Sequence, residues 1–113
     1  MAYDDALGAR VRGALTGTPG LSERQMFGGL GFLINGHMCA GIVGSTLMVR
    51  IGPEGYAEAL TQPHVRPMDF TGRPMTGMIF VDPPALATEA GLAAWITRGS
   101  RYAASLPPKS ART

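Results

Sequence analysis

Few residues in this 113-residue chain could do chemistry: one cysteine, two histidines, and arginines set in apolar or glycine- and proline-rich segments. Cys39 would need a nearby base or positive field to become a reactive thiolate. His37 lies two residues before it, on the same face of a strand, and two-residue hairpin loops would place Arg50 across from it. This arrangement permits a small cysteine-dependent enzyme. The spacing supplies no orienting acid or oxyanion donor, however, and a free cysteine also serves as a small apolar residue. His37, Cys39 and His64 could ligate a metal, but zinc asks for three or four such groups, and His-x-Cys with one distant histidine matches no strong pattern. The expectation is no metal and no cofactor. Arg50, Arg66 and Arg73 could grip a phosphate or carboxylate bidentately, or pair with Asp69 or Asp82 and secure the fold. Gly28, Gly29 and Gly31 lack the Lys-Ser/Thr and helix start of a phosphate loop.

Two hairpins must position these groups. Asn35-Gly36 suits a type I′ turn, which needs positive φ at both central residues, and Gly44-Ser45 reads as a second two-residue loop. Ile34 then faces His37, Phe32 faces Cys39, and Cys39 faces Arg50. One sheet face collects Leu30, Phe32, Ile34, His37, Cys39, Gly41, Val43, Thr46, Met48 and Arg50. The other collects Gly31, Leu33, Met38, Ala40, Ile42, Leu47, Val49 and Ile51. The second set is wholly apolar or small, which predicts the core face. The first is mixed, yet too apolar for a face meeting water.

The hairpins sit within a longer pattern. Leu7, Val11, Ala14 and Leu15 share a helical face over 5–16, capped by Asp4 or Asp5. Residues 21–27 read as a short strand whose period Arg24 and Gln25 blur. Strands follow at 30–34, 37–43 and 46–51, then a short helix after Gly52-Pro53. A strand pair spans 65–70 and 75–81, with Pro67 and Pro74 favouring edge positions. Asp82-Pro-Pro84 stops the second of these. Thr88 caps a helix over 89–103 with Leu92, Trp95, Ile96 and Tyr102 on one stripe. The fold class is α+β, order α-β(3)-α-β(2)-α, with one antiparallel sheet and helices on one face. The expected domain is 1–104, and 105–113 is a flexible C-terminal tail.

Composition narrows the function classes. At this length the chain is one domain that buries roughly two-thirds of its unfolded surface. The hydrophobic fraction of 45% argues against disorder. A lone cysteine forms no internal disulfide, which fits a reducing cytoplasm. Neither a signal peptide nor a membrane span is visible, and there is no internal repeat. The net charge of +2 is nearly all arginine, Lys109 being the only lysine; so small an excess does not predict nucleic-acid binding.

Met26-Phe-Gly-Gly29, the glycine-rich hairpin after it and Leu47-Met-Val-Arg-Ile-Gly-Pro53 carry a resemblance. It continues through His64-Val-Arg-Pro-Met-Asp-Phe-Thr-Gly-Arg-Pro-Met75 and the Trp95-Ile96 helix. Over residues 3–108 the chain resembles the N-terminal domain of the TfoX/Sxy family, named for bacterial regulators of natural competence. The resemblance implies a secretion-chaperone-like α+β architecture, whose members often pair into dimers, and it implies no catalytic residue. Two-domain members continue into a helical C-terminal domain suspected of nucleic-acid contact. This chain ends where that domain would start, so a stand-alone copy is expected.

The leading reading is a non-catalytic regulatory module that binds a protein partner or a second copy of itself. The candidate interface is Leu30, Phe32, Ile34, Val43 and Met48, rimmed by His37, Thr46 and Arg50, since contiguous apolar patches mark interaction sites. Met38, Met75 and Met78 are expected to fill core. On this reading Phe32→Glu leaves the monomer folded and abolishes association. The second reading is nucleic-acid binding through an arginine surface, with affinity falling steeply in salt. The third is the Cys39 enzyme.

Overall fold

Each long helix begins where a side chain satisfies its free N–H groups. In the computed structural model, which describes residues 3–26, 28–68 and 76–107, helix α1 runs Asp5–Ala14. Asp4 caps it, its Oδ1 accepting from the N–H groups of Ala6 and Leu7 at 2.9 and 3.2 Å. Leu7, Val11 and Leu15 recur at helical spacing and are buried. Helix α3, Glu89–Ser105, is capped by Thr88, whose Oγ1 accepts from the Gly91 N–H at 3.0 Å. Leu92, Ile96, Gly99 and Ala103 form its buried stripe.

Between the helices lie β1 (Leu21–Met26), β2 (Gly29–Ile34), β3 (His37–Val43), β4 (Thr46–Arg50), the short helix α2 (Tyr56–Ala59), β5 (Val65–Pro67) and β6 (Met78–Val81). A 3-10 turn, Pro83–Leu86, follows β6, its prolines in the first turn where a missing N–H costs nothing. The strands form one antiparallel sheet in the order β1-β2-β3-β4-β6-β5. The α+β class and the layering match the sequence reading. The exception is residues 21–26, which form a full strand, so four strands precede α2 rather than three. Ser22, Glu23, Arg24 and Gln25 hide this strand because an exposed outer strand needs no apolar alternation.

Both hairpin loops have two residues. Ile34 pairs with His37 across Asn35-Gly36, where φ is 54° and 86°, and Val43 pairs with Thr46. The register beyond the first loop differs from expectation. Phe32 pairs with Ala40 and Leu33 with Met38, because β3 carries one extra residue, Cys39, as a bulge. One inserted residue reverses the relation between the side chains of β2 and β3. Leu30, Phe32 and Ile34 therefore join Ala40, Ile42, Leu47 and Val49 on the helix-covered face, in the main core with Leu7, Val11, Leu92 and Ile96. They are 5%, 0% and 1% exposed, which removes all three from the candidate interface.

The opposite face carries a second cluster of Met48, Met68, Met78 and Phe80, with Met38 and Val43 half-buried against it. No residue of a described helix belongs to this cluster. Met38, expected on the core face, is therefore half-buried against this second cluster instead, Met78 is buried within it, and Met75 lies outside the described residues.

Candidate interaction surface

The groups singled out for chemistry are dispersed by the fold. Cys39 sits in the bulge, fully buried in the main core, and burial pushes its thiol up to about 12. The cause is desolvation alone, with no positive charge opposing it. Arg50 instead lays its guanidinium 5.4 Å from the Tyr102 ring centre. The Nε2 of His37 lies 2.6 Å from the Pro107 carbonyl oxygen, beyond the end of α3. His64 is at the other side of the sheet, where its carbonyl accepts from the Asp82 N–H at 2.8 Å. Among the described residues no three His, Cys, Asp or Glu side chains converge as a metal site. We expect maleimide to label Cys39 at neutral pH at least about a hundredfold more slowly in the native protein than in denaturant. Fast native labelling would mean that the bulge opens to solvent.

The arginines are largely engaged. Arg66 donates to Asp82 through Nε and Nη2, both at 2.9 Å, and lies over Phe80 at 4.9 Å. The Thr46 hydroxyl donates to the same carboxylate at 3.2 Å. These bonds, led by Arg66, hold Asp82 below its ordinary 3.8 against an upward push from burial. Of the two roles open to Arg66, an anion grip or pairing with Asp69 or Asp82, the structure shows pairing with Asp82. Arg10, Arg12 and Arg98 are also paired, with Glu89, Glu23 and Glu58. Arg50 lies across from Met78, and Arg66 across from Phe80, but different groups take up the two guanidiniums. Arg73 lies outside the described residues.

The surface has two further features. The first is the sheet face that no described helix covers. Of the expected interface, Val43 and Met48 lie there, Met48 at 2% exposure with its methyl over Gly41. Val43 and Met38 are half-buried there and within reach of an incoming side chain. The second feature is the outer edge of β1, exposed from Ser22 to Gln25 and, among the described residues, paired with β2 alone. On its inner face Glu23 accepts from Arg12 of α1 at 2.6 and 2.9 Å. That contact holds its carboxylate below the ordinary 4.5, against the opposing effect of burial. The sequence placed a short strand at 21–27, but which strand lies at an open edge depends on the strand order, and residue types do not state that.

An antiparallel sheet with the described helices on one face defines a class of small α+β domain. Within that class, the chain belongs to the TfoX N-terminal domain family, whose model matches residues 14–103. No curated protein and no solved structure matches it. No helix among the described residues is long and apolar enough to cross a membrane.

Proposed function

We propose that this protein is a regulatory module that acts by protein–protein association, with a homodimer as its basic form. The observation that carries the reading is the sheet: the described helices cover one face, and β1 is exposed and, among the described residues, paired on one side only. Edges of this length are templates for another strand unless they are blunted. Family membership supplies the regulatory half of the reading. The module is non-catalytic on this view, since its one thiol is buried and neutral at physiological pH. A reducing cytoplasm suits a lone cysteine of that kind. The open strand builds the dimer, and Val43 with Met38, over buried Met48, is the zone shown to a further protein partner.

The test is the absolute mass of the purified chain by light scattering over a range of concentrations. A mass of twice 11.9 kDa supports the homodimer, and 11.9 kDa throughout removes it. Val43→Lys is expected to leave both the fold and the dimer mass intact, because Val43 is half-buried and away from β1. Loss of the dimer in that variant would instead make the Val43 face of the sheet the self-contact.

A further inference from the structure

The backbone of β1 has two kinds of position. Gly20 accepts from the Asn35 N–H at 3.0 Å, so Gly20 and Asn35 form a hydrogen-bonded pair just beyond Leu21–Ile34. Antiparallel ladders alternate bonded and non-bonded pairs. Ser22, Arg24 and Met26 therefore turn their N–H and C=O groups toward β2. Leu21, Glu23 and Gln25 turn theirs out of the sheet. The hairpin agrees, because Ile34 closes the Asn35-Gly36 loop with His37, which aims the Ile34 backbone at β3 and away from Leu21. The other edge of the sheet is blunted: β5 has three residues and ends in Pro67, which has no N–H to donate.

We propose that β1 pairs antiparallel with β1 of a second copy about a two-fold axis at Glu23, joining the two sheets into one. The inference rests on the homodimer reading above and names its contact and register. Outward residues must face outward residues, so a two-fold register centres on residue 22, 23 or 24. Centring on Arg24 sets two guanidiniums directly opposite in the closer, non-bonded kind of pair, which like charges disfavour. Centring on Ser22 places Gln25 against Pro19, which cannot donate.

Centring on Glu23 pairs Leu21 with the partner's Gln25 and Glu23 with the partner's Glu23. All three outward residues are used, and Arg24 falls opposite the partner's Ser22. Each Glu23 is already gripped by its own Arg12, so two neutral ion pairs meet at the axis rather than two bare carboxylates. The partner that fits this edge is thus a second copy of the chain.

The experiment uses the full chain, with dimer affinity from analytical ultracentrifugation and folding from circular dichroism. Gln25→Pro removes an outward N–H and leaves the β1–β2 ladder intact, so at least about tenfold weaker dimerisation with an unchanged spectrum is expected. Gln25→Ala keeps the N–H and keeps the dimer. Unaltered affinity in Gln25→Pro would overturn the edge.

Crosslinking tests the register even if the proline variant fails to fold. Residues in a hydrogen-bonded pair have Cα atoms about 5.5 Å apart, within disulfide reach. Glu23→Cys should therefore oxidise to a linked dimer, and Arg24→Cys should not; buried Cys39 does not compete. No link at 23, or equal linking at 24, overturns the register. Arg12→Gln should weaken the dimer by baring two carboxylates, and Glu23→Gln in the same chain should restore it. A dimer indifferent to every β1 variant leaves the homodimer standing and the edge refuted. A monomer at all concentrations refutes both.

Discussion

A Phe32→Glu variant is expected not to fold, the reverse of what the sequence register implies for it. Phe32 is among the largest fully buried side chains and packs in the main core, where β2, β3 and the helices meet. Truncating a buried phenylalanine to alanine typically costs about 3–5 kcal/mol, a large share of the roughly 5–15 kcal/mol that holds a domain folded. Glutamate adds a carboxylate with no partner in an apolar site, and that further cost exceeds the remaining margin. Phe32→Ala should show a much lower but cooperative thermal transition, and Phe32→Glu none. A folded Phe32→Glu that lost only self-association would restore the simple hairpin register and remove the bulge.

Gly99→Ala is expected to destabilise the protein although it sits in the middle of a helix. In an open helix the change would gain about 1 kcal/mol, because glycine is a poor helix former. Here a Cβ on Gly99 would lie 2.5 Å from the carbonyl oxygen of Cys39 and 3.1 Å from the Val49 Cγ1. The closer atom is backbone of a strand paired on both sides rather than the end of a flexible side chain, so α3 must lift off β3 and β4 to make room. Overpacking of this kind costs about 1–3 kcal/mol, enough to reverse the sign. For a domain near 100 residues each net kcal/mol lowers Tm by roughly 4–8 °C. A raised Tm in Gly99→Ala would show that the helix and sheet are not in this close contact.

The two variants mark where sequence reading succeeds and where it stops. Caps, turns and face periodicity depend on residues a few positions apart. Asp4, Thr88 and Asn35-Gly36 accordingly act as their types imply. The apolar alternation of Ala40, Ile42, Leu47 and Val49 likewise found the core face. Pairing of Arg66 with Asp82 was open to sequence reading as one of two choices, since both flank the same strand pair. The β1 strand was not legible as a full element. Residue type showed it only as a short strand with a blurred period, because an outer strand with exposed side chains is secured by its hydrogen bonds to β2 rather than by apolar alternation.

The chain by itself determined the α+β class, the two loops and the helix ends, because local sterics and hydrogen bonding set these. Tertiary structure decided the side-chain allegiance of Leu30, Phe32 and Ile34, the burial of Cys39 and the close seat of Gly99. The physical reason is common to all three. A single extra residue in β3 turns the Cys39 carbonyl toward α3 at the site where a glycine lets the helix descend. Whether a strand takes up such a bulge depends on what packs above and beside it, and those neighbours lie some 60 residues away in the chain.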